Sequence, residues 1–154
     1  MNTENDMNVF MEMAIQEAMD GISNRDGGPF GCVIVKNGVV VGKGHNEVLR
    51  RKDPTCHGEM MAIRDACNNL GTYDLSQCEL YSTSQPCVMC MGAIMWSNIS
   101  RVYYGCTIQD AENIGFRDKK FSEQLDDFLG TIIDRDACLR LFNKYCLLKD
   151  KVIY

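Results

Sequence analysis

The run Cys32 to Val35, Lys36-Asn37-Gly38, Val39 to Val41 constrains this chain more than any other. Two short β-branched stretches flank Asn-Gly, the dipeptide that tolerates positive φ at both central positions of a type I′ turn. The segment reads as a hairpin, and the rest of the chain must pack against it. Upstream, Met7, Phe10, Met11, Ala14, Ala18 and Ile22 recur close to a 3.6-residue period, which predicts an amphipathic helix over 7–22 with Asn5 or Asp6 as cap. Asn24 to Gly28 and Pro29 then form a loop.

Downstream of His45 and Asn46, a polar connection closes at Pro54-Thr55. Met60, Ile63, Cys67 and Leu70 have helical spacing, and Gly71 is the expected stop. Cys78 to Tyr81 reads as a strand, Gln85-Pro86 as a turn, Cys87 to Trp96 as a compact helix and Arg101 to Gly105 as a strand. Alternation of this kind describes a layered α/β domain. Residues 108–130 carry weaker signals, with Phe121 to Gly130 fitting either helix or loop; Asp134 to Leu148 is again helical. No repeat or linker divides the 154 residues, so one domain over 1–154 is expected.

Sixteen Lys and Arg stand against twenty-one Asp and Glu, a formal charge of −5 that disfavours nonspecific binding to a phosphate backbone. No apolar run approaches the roughly 18 residues of a membrane span, and the first residues lack a basic stretch and an apolar signal core. A cytoplasmic protein is the expectation. The nine cysteines have no framework spacing, so they read as reduced thiols, many of them small core hydrophobes.

Cys87-x-x-Cys90 is the one pair whose spacing asks for chemistry. At a helix start, residues i and i+3 share a face, so both sulfurs can reach one ion, and the helix terminus favours thiolate. His57, at the start of the next helix upstream, is the third candidate ligand. In a parallel α/β layer, one helix and one strand return the chain to the same sheet end, which would bring His57 to Cys87 and Cys90. Three ligands leave a tetrahedral zinc one open position for water. Glu59, two residues beyond His57, could move protons in the same cleft without ligating. A closed structural site, with Cys56 as the spare ligand, would leave Glu59 without a role. A redox dithiol would leave both His57 and Glu59 unexplained, and core packing of the cysteines would leave the joint pattern to coincidence.

The arrangement His57-x-Glu59 with Pro86-Cys87-x-x-Cys90 is the signature of the zinc deaminases. With GGPFGCVIVKNGVVVGKGHNEV (27–48), DPTCHGEMMAIRDAC (53–67), LYSTSQPCVMCMGAIMW (80–96) and DAENIGFRD (110–118), the chain resembles the cytidine deaminase superfamily in its purine-directed branch. Within that branch it is most similar to the bacterial guanine deaminases. The resemblance implies a three-layer α-β-α fold around a five-stranded mixed sheet, and a zinc-dependent hydrolase acting on guanine. Glu59 would be the proton shuttle and His57, Cys87 and Cys90 the metal ligands. Asn46 and Asp118 would bind the base, Phe30 and Trp96 would line the pocket, and the amides of Gly58 and Cys87 would assist. The resemblance further implies a homodimer that exchanges C-terminal segments, so that Tyr154 closes the partner's site. Relatives acting on adenosine in transfer RNA, on guanosine or on cytosine are the enzymatic alternatives, and a zinc-stabilised binding module is the non-enzymatic one. Two positions depart from the family pattern: Gln85 stands where Glu is usual, and Arg117 replaces an acid beside Asp118.

Overall fold

The computed structural model describes residues 7–127 and 131–154. Chain contacts divide the protein into residues 1–122 and 123–154. In the first unit, α1 (Val9–Ser23) precedes the hairpin β1 (Gly31–Lys36) and β2 (Val39–His45). The chain continues through one turn of helix, α2 (Val48–Arg51), then α3 (Gly58–Leu70), β3 (Cys78–Ser84), α4 (Val88–Trp96), β4 (Arg101–Cys106) and α5 (Ile108–Asn113). The helix α6 (Asp118–Gln124) crosses the boundary, and α7 (Arg135–Cys146) belongs to the second unit.

The hairpin forms as its sequence predicts. Asn37 and Gly38 have φ of 50° and 76°, and Lys36 pairs with Val39. The cap of α1 is Asn8, whose side chain accepts from the Phe10 and Met11 amides; Asn5 and Asp6 lie outside the described residues. Gly71 stops α3 at φ 67°.

The sheet has four strands among the described residues, in the order β2-β1-β3-β4. The first two pairings are antiparallel and β3-β4 is parallel, so the sheet is mixed as expected. The expected fifth strand is absent from it. Past β4 the described chain holds the helices 108–113, 118–124 and 135–146, and the β-branched stretch Thr131-Ile132-Ile133 forms no strand.

Helices cover both faces, which is why β1 is buried along Gly31 to Val35 and reads as a continuous apolar run. Val33 and Val35 pack with Ala14 of α1 and Tyr81. Cys32 and Ile34 point the other way, into a core with Ala62 and Ala66 of α3, Leu80 and Ile94. Bare glycines on β2 let α3 settle unusually close. A Cβ on Gly42 would stand 2.6 Å from the Ala62 carbonyl oxygen, and one on Gly44 would stand 2.7 Å from the Ala62 nitrogen. This contact fixes α3, and with it the height at which α3 begins.

Both β2 and β3 run antiparallel to β1, so their last residues, His45 and Ser84, lie at the same sheet end. The helices that follow them, α3 and α4, start there. Ligands bind open α/β sheets at such an end.

Residues 123–154 continue α6 into a 3₁₀ turn (Leu125–Asp127) and hold α7, where the sequence placed a helix. Tyr145 accepts from the Val152 amide and donates to the Val152 carbonyl oxygen at 2.7 Å, folding the last residues back on α7. None of the helices of the described chain is long and apolar enough to cross a membrane. All nine cysteines are free, five of them buried.

Candidate metal centre and substrate cavity

His57 and Cys87 are the N-caps of α3 and α4, and their backbones match: φ −69° with ψ 159° and φ −69° with ψ 173°. Neither side chain caps its own helix. They turn toward each other instead, with Cys90 from the first turn of α4. His57 Nδ1 lies 3.5 Å from Cys87 Sγ and 3.6 Å from Cys90 Sγ. Around a tetrahedral zinc, bonds of about 2.0–2.1 Å to nitrogen and about 2.3 Å to sulfur place nitrogen and sulfur about 3.5–3.6 Å apart. The donor set and its spacing therefore fit zinc.

Proton affinities follow from the same geometry. A hydrogen bond from the Cys90 thiol, helped by His57, overrides burial and pulls Cys87 down to about 4. Cys90 is pushed far up in return, by Cys87 and by burial. His57 is raised by its bond to Cys87. One thiolate is thus already prepared to trade its hydrogen bonds for an ion. Cys56 does not join the group: its buried sulfur takes a hydrogen from Arg64 Nη1 at 3.6 Å. Three protein ligands, not four, converge among the described residues, the pattern of a reactive zinc site.

Glu59, in the first turn of α3, is 5% exposed. Burial raises its pKa, and Ser82 Oγ lies 2.9 Å from its Oε1. The same hydroxyl stands 2.7 Å from the Ser84 carbonyl oxygen. Sequence reasoning passed over these two serines. Cys78, Leu80, Ser82 and Ser84 alternate along one face of β3, and the change from apolar to hydroxyl marks where that row leaves the core and meets the site.

A cavity of about 530 Å³ opens beside this group. His57, Glu59, Cys87, Asn46, Asp118 and Phe30 all line it. Asn46 Oδ1 accepts from the Val48 amide at 3.0 Å, which leaves the side-chain NH₂ as the group to present. Gly27 makes room for that amide; a Cβ there would collide with Asn46 Oδ1. Phe30 packs edge-on against Phe116, centroids 4.8 Å apart. Burial, then the nearby Cys87, raises Asp118. Of the two departures, Gln85 lines the cavity and accepts from the Ile108 amide at 3.1 Å, tying α5 to the site. Arg117 lies over the Phe121 ring, 4.9 Å from its centroid.

Two of the expected residues are not among those lining this cavity. Trp96 ends α4, about 9 Å of helix beyond Cys90 in the first turn, and it is 67% exposed. Gly58 lies beneath His57, where a Cβ would meet the Phe30 carbonyl oxygen at 3.2 Å, and takes no part in the lining. Tyr154 belongs to the 123–154 unit and is 75% exposed.

The chain is similar to known deaminases. Over 117 residues the chain is 43% identical to the guanine deaminase of Bacillus subtilis (strain 168), covering 76% of this chain and 75% of that protein. The X-ray structure of guanine deaminase from Bacillus subtilis superposes with a TM-score of 0.83 at 34% identity, over 99% of this chain and 100% of that one. The tRNA-specific adenosine deaminase of Aquifex aeolicus is 43% identical over a shorter stretch, 95 residues, or 62% of each chain. Residues 4–106 match the cytidine and deoxycytidylate deaminase zinc-binding region, and they hold all three candidate ligands and Glu59: the chain belongs to that deaminase family.

Proposed function

We propose that this protein is a zinc-dependent guanine deaminase that hydrolyses guanine to xanthine and ammonia. The observation that carries the reading is His57, Cys87 and Cys90 converging at one wall of a cavity that Glu59 and Asp118 also line. Zinc held by those three side chains supplies Lewis-acid chemistry that makes water a competent nucleophile at neutral pH.

The chain's own groups do the rest. Glu59 accepts one proton from the attacking water and passes it to the ring nitrogen beside C2, then takes the remaining proton from the hydroxyl now on C2 and delivers it to the departing amine as the carbonyl forms. Its burial, which raises its pKa, suits a group that must hold and release a proton near neutrality. Ser82 keeps the carboxyl group in place. The Asn46 NH₂ donates to an acceptor on the base, and Asp118 accepts from its N–H groups; guanine offers both kinds of edge. Phe30 supplies an apolar wall for the flat ring. The Cys87 amide, at the start of α4, steadies developing negative charge in this reading.

We further propose a homodimer in which C-terminal segments are exchanged, so that Tyr154 closes the partner's cavity. Ile132, Ile133, Leu141, Phe142, Leu147 and Ile153 are each at least 65% exposed in the single chain, apolar surface that a partner would cover. The nine free thiols suit a reducing compartment, which we take to be the cytoplasm.

The test is ammonia release from guanine, guanosine, adenine, cytosine and an adenosine-bearing anticodon stem-loop, presented in parallel to zinc-loaded protein. Release from guanine well above the others is expected. Release from the stem-loop instead would move the enzyme to the tRNA-directed branch, and none from any would leave a zinc-stabilised binding module.

A further inference from the structure

Ser84 closes β3 at the sheet end beneath the metal group, and it is 5% exposed. Its backbone is fully engaged: the carbonyl oxygen accepts from Ser82 Oγ at 2.7 Å, and the residue pairs with Cys106 of β4. Its hydroxyl is different. Among the described residues, Ser84 Oγ is a buried polar atom with no hydrogen-bond partner in the protein, and Ser84 lines the cavity. Buried hydroxyls are nearly always paired, because leaving one unpaired costs stability. An orphan facing core would be a defect. This one sits on a residue that lines the cavity.

The surroundings say which part of the occupant it meets. One hydroxyl, Ser82 Oγ, joins the Ser84 carbonyl oxygen to Glu59 Oε1, at 2.7 and 2.9 Å. Ser84 therefore stands next to the proton-moving carboxyl group, and three residues before Cys87 in the chain. Asn46 and Asp118 come from other segments of the lining.

We propose that Ser84 is a substrate-positioning residue: its hydroxyl hydrogen-bonds the amidine edge of the bound base, the ring nitrogen and exocyclic amine flanking the carbon under attack. A hydroxyl both donates and accepts, so the bond survives as the ring nitrogen gains its proton and the amine departs. The proposal rests on reading the cavity as a site for an aminated base. It also makes the free protein carry an unpaired polar group that only the substrate satisfies, so one substitution should move stability and catalysis in opposite directions.

The experiment compares Ser84→Ala with wild type as zinc-loaded protein, by thermal melting and by steady-state kinetics on guanine, with Ser84→Thr as the hydroxyl-retaining control. Ser84→Ala should lower kcat/KM roughly tenfold, the scale of one hydrogen bond. It should melt at or about 2 °C above wild type, since it removes a buried unpaired group. Ser84→Thr should recover most of the kcat/KM. A kcat/KM within twofold of wild type would overturn the proposal. So would an Ala protein whose melting temperature falls along with its activity, since the hydroxyl would then be holding the fold. If wild-type protein leaves guanine untouched, the substrate reading fails separately. The melting comparison still decides here: an Ala protein melting below wild type overturns the proposal as well, and one melting above it keeps Ser84 as the contact for another base.

Discussion

His57 and His45, the chain's two histidines, each sit in a group of three potential ligand atoms no more than 4.8 Å apart, yet the two groups are different chemical objects. Around His57 the neighbours are two sulfurs, one drawn to the thiolate form, and among the described residues no lysine or arginine hydrogen-bonds either. Around His45 they are carboxylates: Glu17 Oε2 at 3.1 Å from Nδ1, Asp26 Oδ2 at 2.8 Å from Nε2, and Glu47 Oε1 at 3.9 Å. Those carboxylates are already matched by cations. Lys43 reaches Glu17 at 3.4 Å, Arg50 reaches Glu47 at 3.3 Å, and Arg51 Nε lies 2.5 Å from Glu47. Sulfur and imidazole with no competing cation make a site for a soft, divalent ion. Imidazole among carboxylates with cations in attendance makes a closed ionic knot. Proximity alone does not define a metal centre; what else satisfies the ligands does.

Replacing each histidine by glutamine is the most severe way to break that distinction. His57→Gln should leave protein with little bound zinc and turnover down by at least roughly 10²–10³-fold, since the transition-state electrostatics go with the ion. His45→Gln should keep zinc at one per chain. Metal analysis of the two purified variants decides the matter: equal zinc in both would mean that His57 is no ligand.

Glu59→Gln asks whether the carboxyl group beside the metal group carries protons or merely fills space. Zinc should stay and turnover fall by roughly 10²–10⁴-fold. Glu17→Gln, the same change on the carboxylate beside His45, should cost less than about a factor of three. A Glu59→Gln protein with near-normal ammonia release would remove the proton shuttle from the mechanism.

How much of this was legible in the sequence depended on the range over which each signal acts. The hairpin, the Gly71 stop and the facing helix starts of His57 and Cys87 all follow from a few adjacent residues or one short connection, and they are where the sequence puts them. The four β runs read from the residues are the four strands found; the fifth came from family resemblance alone. The knot at His45 gathers Glu17, Asp26 and Glu47 from three separate segments, so nothing local announced it. Between 108 and 124 the helices are short and nearly without apolar period, although the capping box of Thr107 and Asp110 was there to be seen. Ser84 gives no local signal either. Its burial depends on where β3 ends relative to two helix starts.

Asp118 is a further carboxylate of the cavity lining, half-buried and, among the described residues, without the lysine or arginine ion pair that Glu17 and Glu47 each have. If it reads the N–H groups of the base, Asp118→Asn should raise KM for guanine about tenfold, the worth of a charged hydrogen bond, and lower kcat by less. A fall in kcat with KM unchanged would assign it to the chemical step instead.

The smallest effect is the most diagnostic of the His45 corner. Burial lowers the pKa of this imidazole, but hydrogen bonds to Asp26 and Glu17 and the nearby charges of Glu17 and Glu47 outweigh it, and the net shift is upward. An unfolded histidine titrates near about 6.5. Below that pH the ring is charged in both states, and its stabilisation of the folded protein is complete. As pH rises through the higher folded value, the ring gives up one of its two N–H donors and the contribution is lost. The melting temperature of zinc-loaded wild type should therefore exceed that of His45→Gln by about 2–4 °C in mildly acid solution, the scale of one charged hydrogen bond, and the gap should narrow as pH rises. Taking the difference between the two proteins cancels the titration of the metal group, which both retain. A gap that stays constant with pH, or widens toward alkaline solution, would show a neutral ring at His45, and the contrast between the two histidines would then have to be redrawn as one between a metal ligand and an ordinary buried side chain.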